Sequence, residues 1–101
     1  MSEKRNTKET ILNTLNNLKE KLNKEYHVKT IGLFGSYVNN KQEENSDIDF
    51  LVEFESDADL IHLIGLSNYL EKIFETKVDV VSKSSIKEEL KHQILQEVIY
   101  E

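Results

Sequence analysis

Gly35-Ser36, a ten-residue gap, and Asp47-Ile48-Asp49-Phe50-Leu51-Val52 decide how this chain is read. Gly35-Ser36 closes the apolar run Ile31-Gly32-Leu33-Phe34, and the two aspartates open another that continues to Phe54. Over residues 47–55 the pattern alternates. Ile48, Phe50, Val52 and Phe54 fall on one face, and Asp47, Asp49, Leu51, Glu53 and Glu55 on the other. Period two is the signature of a half-buried strand, so the carboxylates of Asp47 and Asp49 share a face while Ile48 enters the core. Two like charges so close are costly without a compensating cation. Magnesium suits such a pair, since it takes one or two protein carboxylates and completes its shell with water and phosphate oxygens.

Asp79 follows the same logic. It stands in Lys77-Val78-Asp79-Val80-Val81, with Val78 and Val80 toward the core. If its strand lies beside that of Asp47 and Asp49, three carboxylates meet on one sheet face. That set can hold two metals, or one metal and a base for an attacking hydroxyl. Gly35 permits a sharp turn and close approach of a phosphate, and Ser36 offers a hydroxyl and an N–H at the start of a helical turn. The chemistry expected is in-line attack on the α-phosphorus of a nucleoside triphosphate, with pyrophosphate leaving. Gly-Ser alone is an ordinary turn, and Asp-x-Asp alone an ordinary cap. Together at one fixed spacing they should arise by chance in roughly one chain in a thousand of this length.

Periodicity supplies the remaining elements. Residues 6–24 are predicted to be a helix with Ile11, Leu15, Leu18 and Leu22 inward and an Asn6–Glu9 capping box. Strands are expected at 28–34, 47–55 and 77–82, with a polar loop at 35–46 holding one helical turn after Ser36. A second helix is expected at 58–74, capped by Asp57, with Leu60, Ile64, Leu70, Ile73 and Phe74 as its apolar stripe. A third is expected at 85–99, opened by a Ser85–Glu88 capping box, with Ile86, Leu90, Ile94 and Val98 inward. The fold class is α+β: a small mixed three-stranded sheet packed with helices, residues 1–101 forming a single domain.

Composition narrows the function. With no Cys, disulfides, thiolate zinc sites and thiol catalysis are excluded. A net charge of −6, with Arg5 the one arginine, argues against direct nucleic-acid binding. No apolar run approaches the roughly 20 residues of a membrane span, and no secretory signal is read, so a cytoplasmic protein is expected. His62 and His92 have no partner at metal-ligand spacing, His27 ends a loop, Tyr37 suits either base stacking or packing, and Asp57 and Asp59 suit helix capping.

Gly35-Ser36, Asp47-Ile48-Asp49-Phe50-Leu51-Val52, Lys77-Val78-Asp79-Val80-Val81 and the closing helix resemble the minimal nucleotidyltransferases of the DNA polymerase beta-like superfamily. That resemblance implies metal binding and catalysis by Asp47, Asp49 and Asp79, and a triphosphate held at Gly35 and Ser36. It implies magnesium or manganese as cofactor, ATP as substrate, and a HEPN-domain toxin as partner. It also implies transfer of AMP to a tyrosine of that toxin, with the chain as antitoxin. Two alternatives stay open: an antitoxin acting by binding alone, and a small-molecule transferase of the aminoglycoside type, which the short chain disfavours. The family commonly has Arg-Gly where this chain has Asn39-Asn40. Asn40 can keep the turn. Asn39 brings no positive charge, and Lys41 and Lys83 are the candidates to supply it.

Overall fold

A computed structural model describes residues 6–39 and 47–100. The elements run α1 (Lys8–Tyr26), β1 (Val28–Phe34), a 3-10 turn (Gly35–Tyr37), β2 (Ile48–Phe54), α2 (Leu60–Phe74), β3 (Val78–Ser82), a second 3-10 turn (Lys83–Ser85), α3 (Glu88–Glu97) and β4 (Ile99–Tyr100). The architecture is α+β, as expected, with a fourth short strand that the sequence pattern assigned to the last helix. Asn40, Lys41 and the rest of the expected loop through residue 46 lie outside the described residues.

The sheet order is β3-β2-β1-β4. β1 is antiparallel to β2 and to β4, and β2 is parallel to β3. A parallel pair needs a crossover, and α2 provides it. Both long helices cover one sheet face. Ile11, Leu15 and Leu22 of α1, with Leu66, Leu70 and Phe74 of α2, close over Ile31, Leu33, Ile48, Phe50, Val52 and Val78. The inward set of β2 is thus the one its alternation predicts, with Phe54 only half-buried.

Leu51 departs from expectation. Placed on the polar face of β2, it is nonetheless 1% exposed. It pairs with Gly32, and Val98 and Tyr100 lie so close to Gly32 that a β-carbon there would crowd both. The chain's closing segment therefore reaches the second sheet face, and glycine at 32 leaves it room.

The helix starts shift by two or three residues. Thr7, not Asn6, caps α1: its Oγ1 accepts from Thr10 N–H at 3.1 Å, and Thr10 Oγ1 accepts from Thr7 N–H at 2.8 Å. Asn6 instead donates to the Phe74 carbonyl at 2.9 Å, tying the start of α1 to the end of α2. Asp59, not Asp57, caps α2. The Ser85–Glu88 box does not form; Ser85 ends a 3-10 turn and Lys87 precedes α3 without a side-chain cap. Two apolar stripes are also corrected. Leu60 and Ile64 of α2 are exposed, and α3 buries none of its residues, with Leu90 in the open. Among the described residues no helix is long and apolar enough to cross a membrane.

Candidate active site

Strand register gathers the acidic residues. β2 and β3 run parallel with Asp49 directly beside Asp79. Asp47 immediately precedes β2, two residues from Asp49 and therefore on the same face. On the other side of β2, Asp49 pairs with Phe34, the last residue of β1, so Gly35 begins where Asp49 sits. Gly35 has φ +84°, a left-handed conformation that glycine takes without penalty. A β-carbon at Gly35 would overlap Asp49 Oδ2. The turn that follows is tight: Val38 and Asn39 N–H both donate to the Gly35 carbonyl, at 3.0 and 3.2 Å. Ser36 is half-buried in this turn.

Electrostatics record the crowding. The Asp49 carboxyl is pushed up from an ordinary 3.8 to about 6, first by burial, then by Asp79, then by Asp47. No ion pair to Asp47, Asp49 or Asp79 occurs among the described residues. Nor do three such ligands close into a ready cage among the described residues. Crowded carboxylates with no counter-charge among the described residues, beside a turn where glycine fits, make a donor set suited to a hard divalent cation. Its remaining coordination would come from phosphate and water.

Other expectations resolve differently. Tyr37 is buried in the core cluster, 4% exposed, so it packs and offers no stacking face. Lys83 follows β3, at the opposite end of that strand from Asp79, with Nζ 4.0 Å from Glu53 Oε1. It does not replace the missing arginine at the turn. Asn39 Nδ2 donates to Glu97 Oε1 at 3.4 Å, linking the turn to the end of α3. His27 and His62 lie in contact, with ring centroids 4.1 Å apart and planes tilted by 44°. Each places Nδ1 2.9 Å from a carboxylate oxygen, of Asp57 and Asp59 respectively. Periodicity could not reveal this cluster, because it joins the α1–β1 corner to the start of α2.

Comparison with known proteins places this geometry. The family model described as polymerase beta, nucleotidyltransferase, matches residues 16–101. A protein adenylyltransferase, MntA, of Thermococcus cleftensis is 42% identical over 94 residues, covering 93% of this chain and 95% of the relative. A toxin–antitoxin crystal structure with AMP-PNP superposes with a TM-score of 0.68 at 30% identity, over 83% of this chain and 69% of that one. A structure of a tri-AMPylated Shewanella oneidensis HEPN toxin with its MNT antitoxin gives 0.62 at 25% identity, over 88% and 70%. With its matched span, its fold and its Asp-x-Asp strand, the chain belongs to the polymerase beta nucleotidyltransferase family, among the minimal nucleotidyltransferases.

Proposed function

We propose that this chain is the antitoxin of a toxin–antitoxin pair and acts as a protein adenylyltransferase, moving AMP from ATP to a tyrosine hydroxyl of a HEPN-domain toxin. The observation that carries the reading is the meeting of Asp47, Asp49 and Asp79 beside the Gly35 turn, with no counter-charge among the described residues. The adenylyltransferase relative and the toxin–antitoxin structures with AMP-PNP and with an AMPylated toxin support it.

Asp47, Asp49 and Asp79 would hold magnesium or manganese, which when bound neutralises phosphate oxygens as charge builds on them. Gly35 lets the triphosphate approach the backbone, and Ser36 offers its hydroxyl and N–H to it. The toxin's hydroxyl oxygen attacks the α-phosphorus in line. An O–P bond forms, the bond from the α-phosphorus to the bridging oxygen breaks, and that electron pair leaves with pyrophosphate. The hydroxyl proton passes to a carboxylate of the set. Asp79 suits this role: it is exposed and stands on β3, an edge of the sheet, where a macromolecule can reach it.

Binding-only neutralisation is favoured by one observation. Asn39 stands where the family commonly has arginine, and its amide engages Glu97. Purified chain, cognate toxin, magnesium and α-labelled ATP separate the two readings. Labelling of the toxin by the wild type, lost in Asp47→Asn and Asp49→Asn, is the expected result. A tight complex with no labelling by the wild type would establish neutralisation by binding.

A further inference from the structure

The end of the molecule away from the carboxylates carries a surface the reaction does not use. There α2 opens with three large aliphatic side chains facing solvent: Leu60, Ile61 and Ile64 are 68%, 77% and 50% exposed. At spacing i, i+1 and i+4 they form one continuous area of helix surface. The residues α2 buries, Leu66, Leu70 and Phe74, lie farther along the helix. A single exposed leucine is ordinary, but adjoining aliphatics at the start of a helix mark a site of interaction. A cavity of about 600 Å³ adjoins them, lined in part by Leu60, Leu63 and Phe54.

Charge defines the occupant. Glu53 in the cavity wall is shared between Lys29 and Lys83, each at 4.0 Å. Asp57 and Asp59 have only His27 and His62 as ion-pair partners among the described residues, and their side chains remain 69% and 63% exposed. Glu55 also borders the cavity. Lys83 and Lys91 also line the cavity. The apolar area is thus edged by carboxylates on the α2 side, in a chain of net charge −6. A binding partner that matches it has apolar anchors flanked by Lys or Arg.

We propose that Leu60, Ile61, Ile64 and the adjoining cavity dock the HEPN-domain partner through a segment bearing apolar anchors and basic flanks. This rests on the toxin–antitoxin reading above. The start of α2 and the Asp49–Asp79 pair lie at opposite ends of β2, roughly 20 Å apart for a strand of this length. Docking at one end leaves the Asp79 edge open to the segment that receives AMP.

The test is binding of the full chain to its cognate HEPN protein, with Ile61→Arg/Ile64→Arg as the variant. Both positions are at least half exposed, so the fold, read by circular dichroism, should persist. Partner affinity is expected to fall about a hundredfold, as for loss of central anchors. Affinity for a magnesium–ATP analogue should stay unchanged. Labelling of the toxin should show a raised KM with kcat retained at saturating toxin. Wild-type affinity should weaken as salt rises. Unchanged partner affinity in the variant would overturn the assigned face while leaving the toxin–antitoxin reading intact. A wild-type homodimer that the substitutions dissolve would assign the face to a second copy and also overturn the proposal. Salt-independent binding would overturn the basic flanks. Failure of the wild type to bind any HEPN protein would overturn the functional reading, and the docking proposal with it.

Discussion

Gly35 lies against the carboxylate of Asp49 so closely that a β-carbon at position 35 would overlap Oδ2. Its φ of +84° adds a second reason for glycine. Gly35→Ala therefore carries a backbone penalty of about 1 kcal/mol and also displaces Asp49. The expected result is a small fall in melting temperature and a loss of AMP transfer of at least tenfold. Thermal melts and labelling rates on the same preparation separate the two effects. Full transfer by a Gly35→Ala protein would show that the turn does not set the position of Asp49.

Asp49 also gives the fold a pH dependence. Its carboxyl titrates at about 6 in the folded chain against an ordinary 3.8. The folded state binds this proton more tightly than the unfolded state. Its contribution is therefore complete below about pH 3.8 and is lost as pH rises through about 6. Asp49→Asn removes the loss. Because the group is only half-buried, screening reduces the gain to about 1 kcal/mol. Denaturant midpoints without divalent metal should show the variant more stable near pH 7.5, with the difference vanishing near pH 4. Equal midpoints at both pH values would mean that Asp49 is not strained by its neighbours.

Much of this arrangement was legible because period two is a local signal. The alternation of Ile48, Phe50 and Val52 with Asp47 and Asp49 fixed which side chains share a face, and β1 spans the residues its pattern indicates. Asp79 was legible only conditionally, since its place beside Asp49 depends on strand order. The helix stripes misled in a specific way. Leu60 and Ile64 have the spacing of core residues, but spacing cannot distinguish a face covered by the same chain from one left open. Capping residues were ambiguous where two candidates adjoin, as with Asn6 and Thr7 or Asp57 and Asp59. β4 was hidden because Ile99 and Tyr100 become a strand only by pairing with Leu33 and Gly32, far back in the chain.

That pairing makes Gly32 a stability test. A side chain at 32 would meet Val98, Tyr100 and the Ile99 carbonyl. Gly32→Val should displace the closing segment and uncover Leu51, at a cost of about 1–3 kcal/mol. Hydrogen exchange should rise at residues 98–100 before it rises in α1 or α2. A variant as stable as the wild type, with residues 98–100 still protected, would show that this close approach is not needed.

Metal and nucleotide binding should be coupled. On the proposed assignment Asp47, Asp49 and Asp79 would supply only part of a magnesium shell, and triphosphate oxygens would complete it. Calorimetry is expected to show weak magnesium binding alone and binding at least tenfold tighter with a non-hydrolysable ATP analogue. Chelation should lower analogue affinity by the same factor, as linkage requires. Identical metal binding by the wild type and an Asp47→Asn/Asp49→Asn variant would refute the assigned ligands.

The separation of the carboxylates from the apolar start of α2 allows catalysis and docking to be divided by mutation. Asp47 is exposed and precedes β2, so Asp47→Asn leaves core and docking surface untouched. An amide keeps the carboxylate's shape but lacks its charge, so it holds a divalent cation poorly. Loss of that stabilisation should cost several kcal/mol in the transition state, or orders of magnitude in labelling rate. Stability should hold or rise slightly, since one source of repulsion on Asp49 is gone. Toxin affinity should be unchanged. Cells carrying the toxin then report which property neutralises it. If transfer is required, Asp47→Asn fails to protect although it binds, and Ile61→Arg/Ile64→Arg protects only when overproduced. Full protection by a well-folded Asp47→Asn protein, with no AMP on the toxin, would make binding alone the neutralising act.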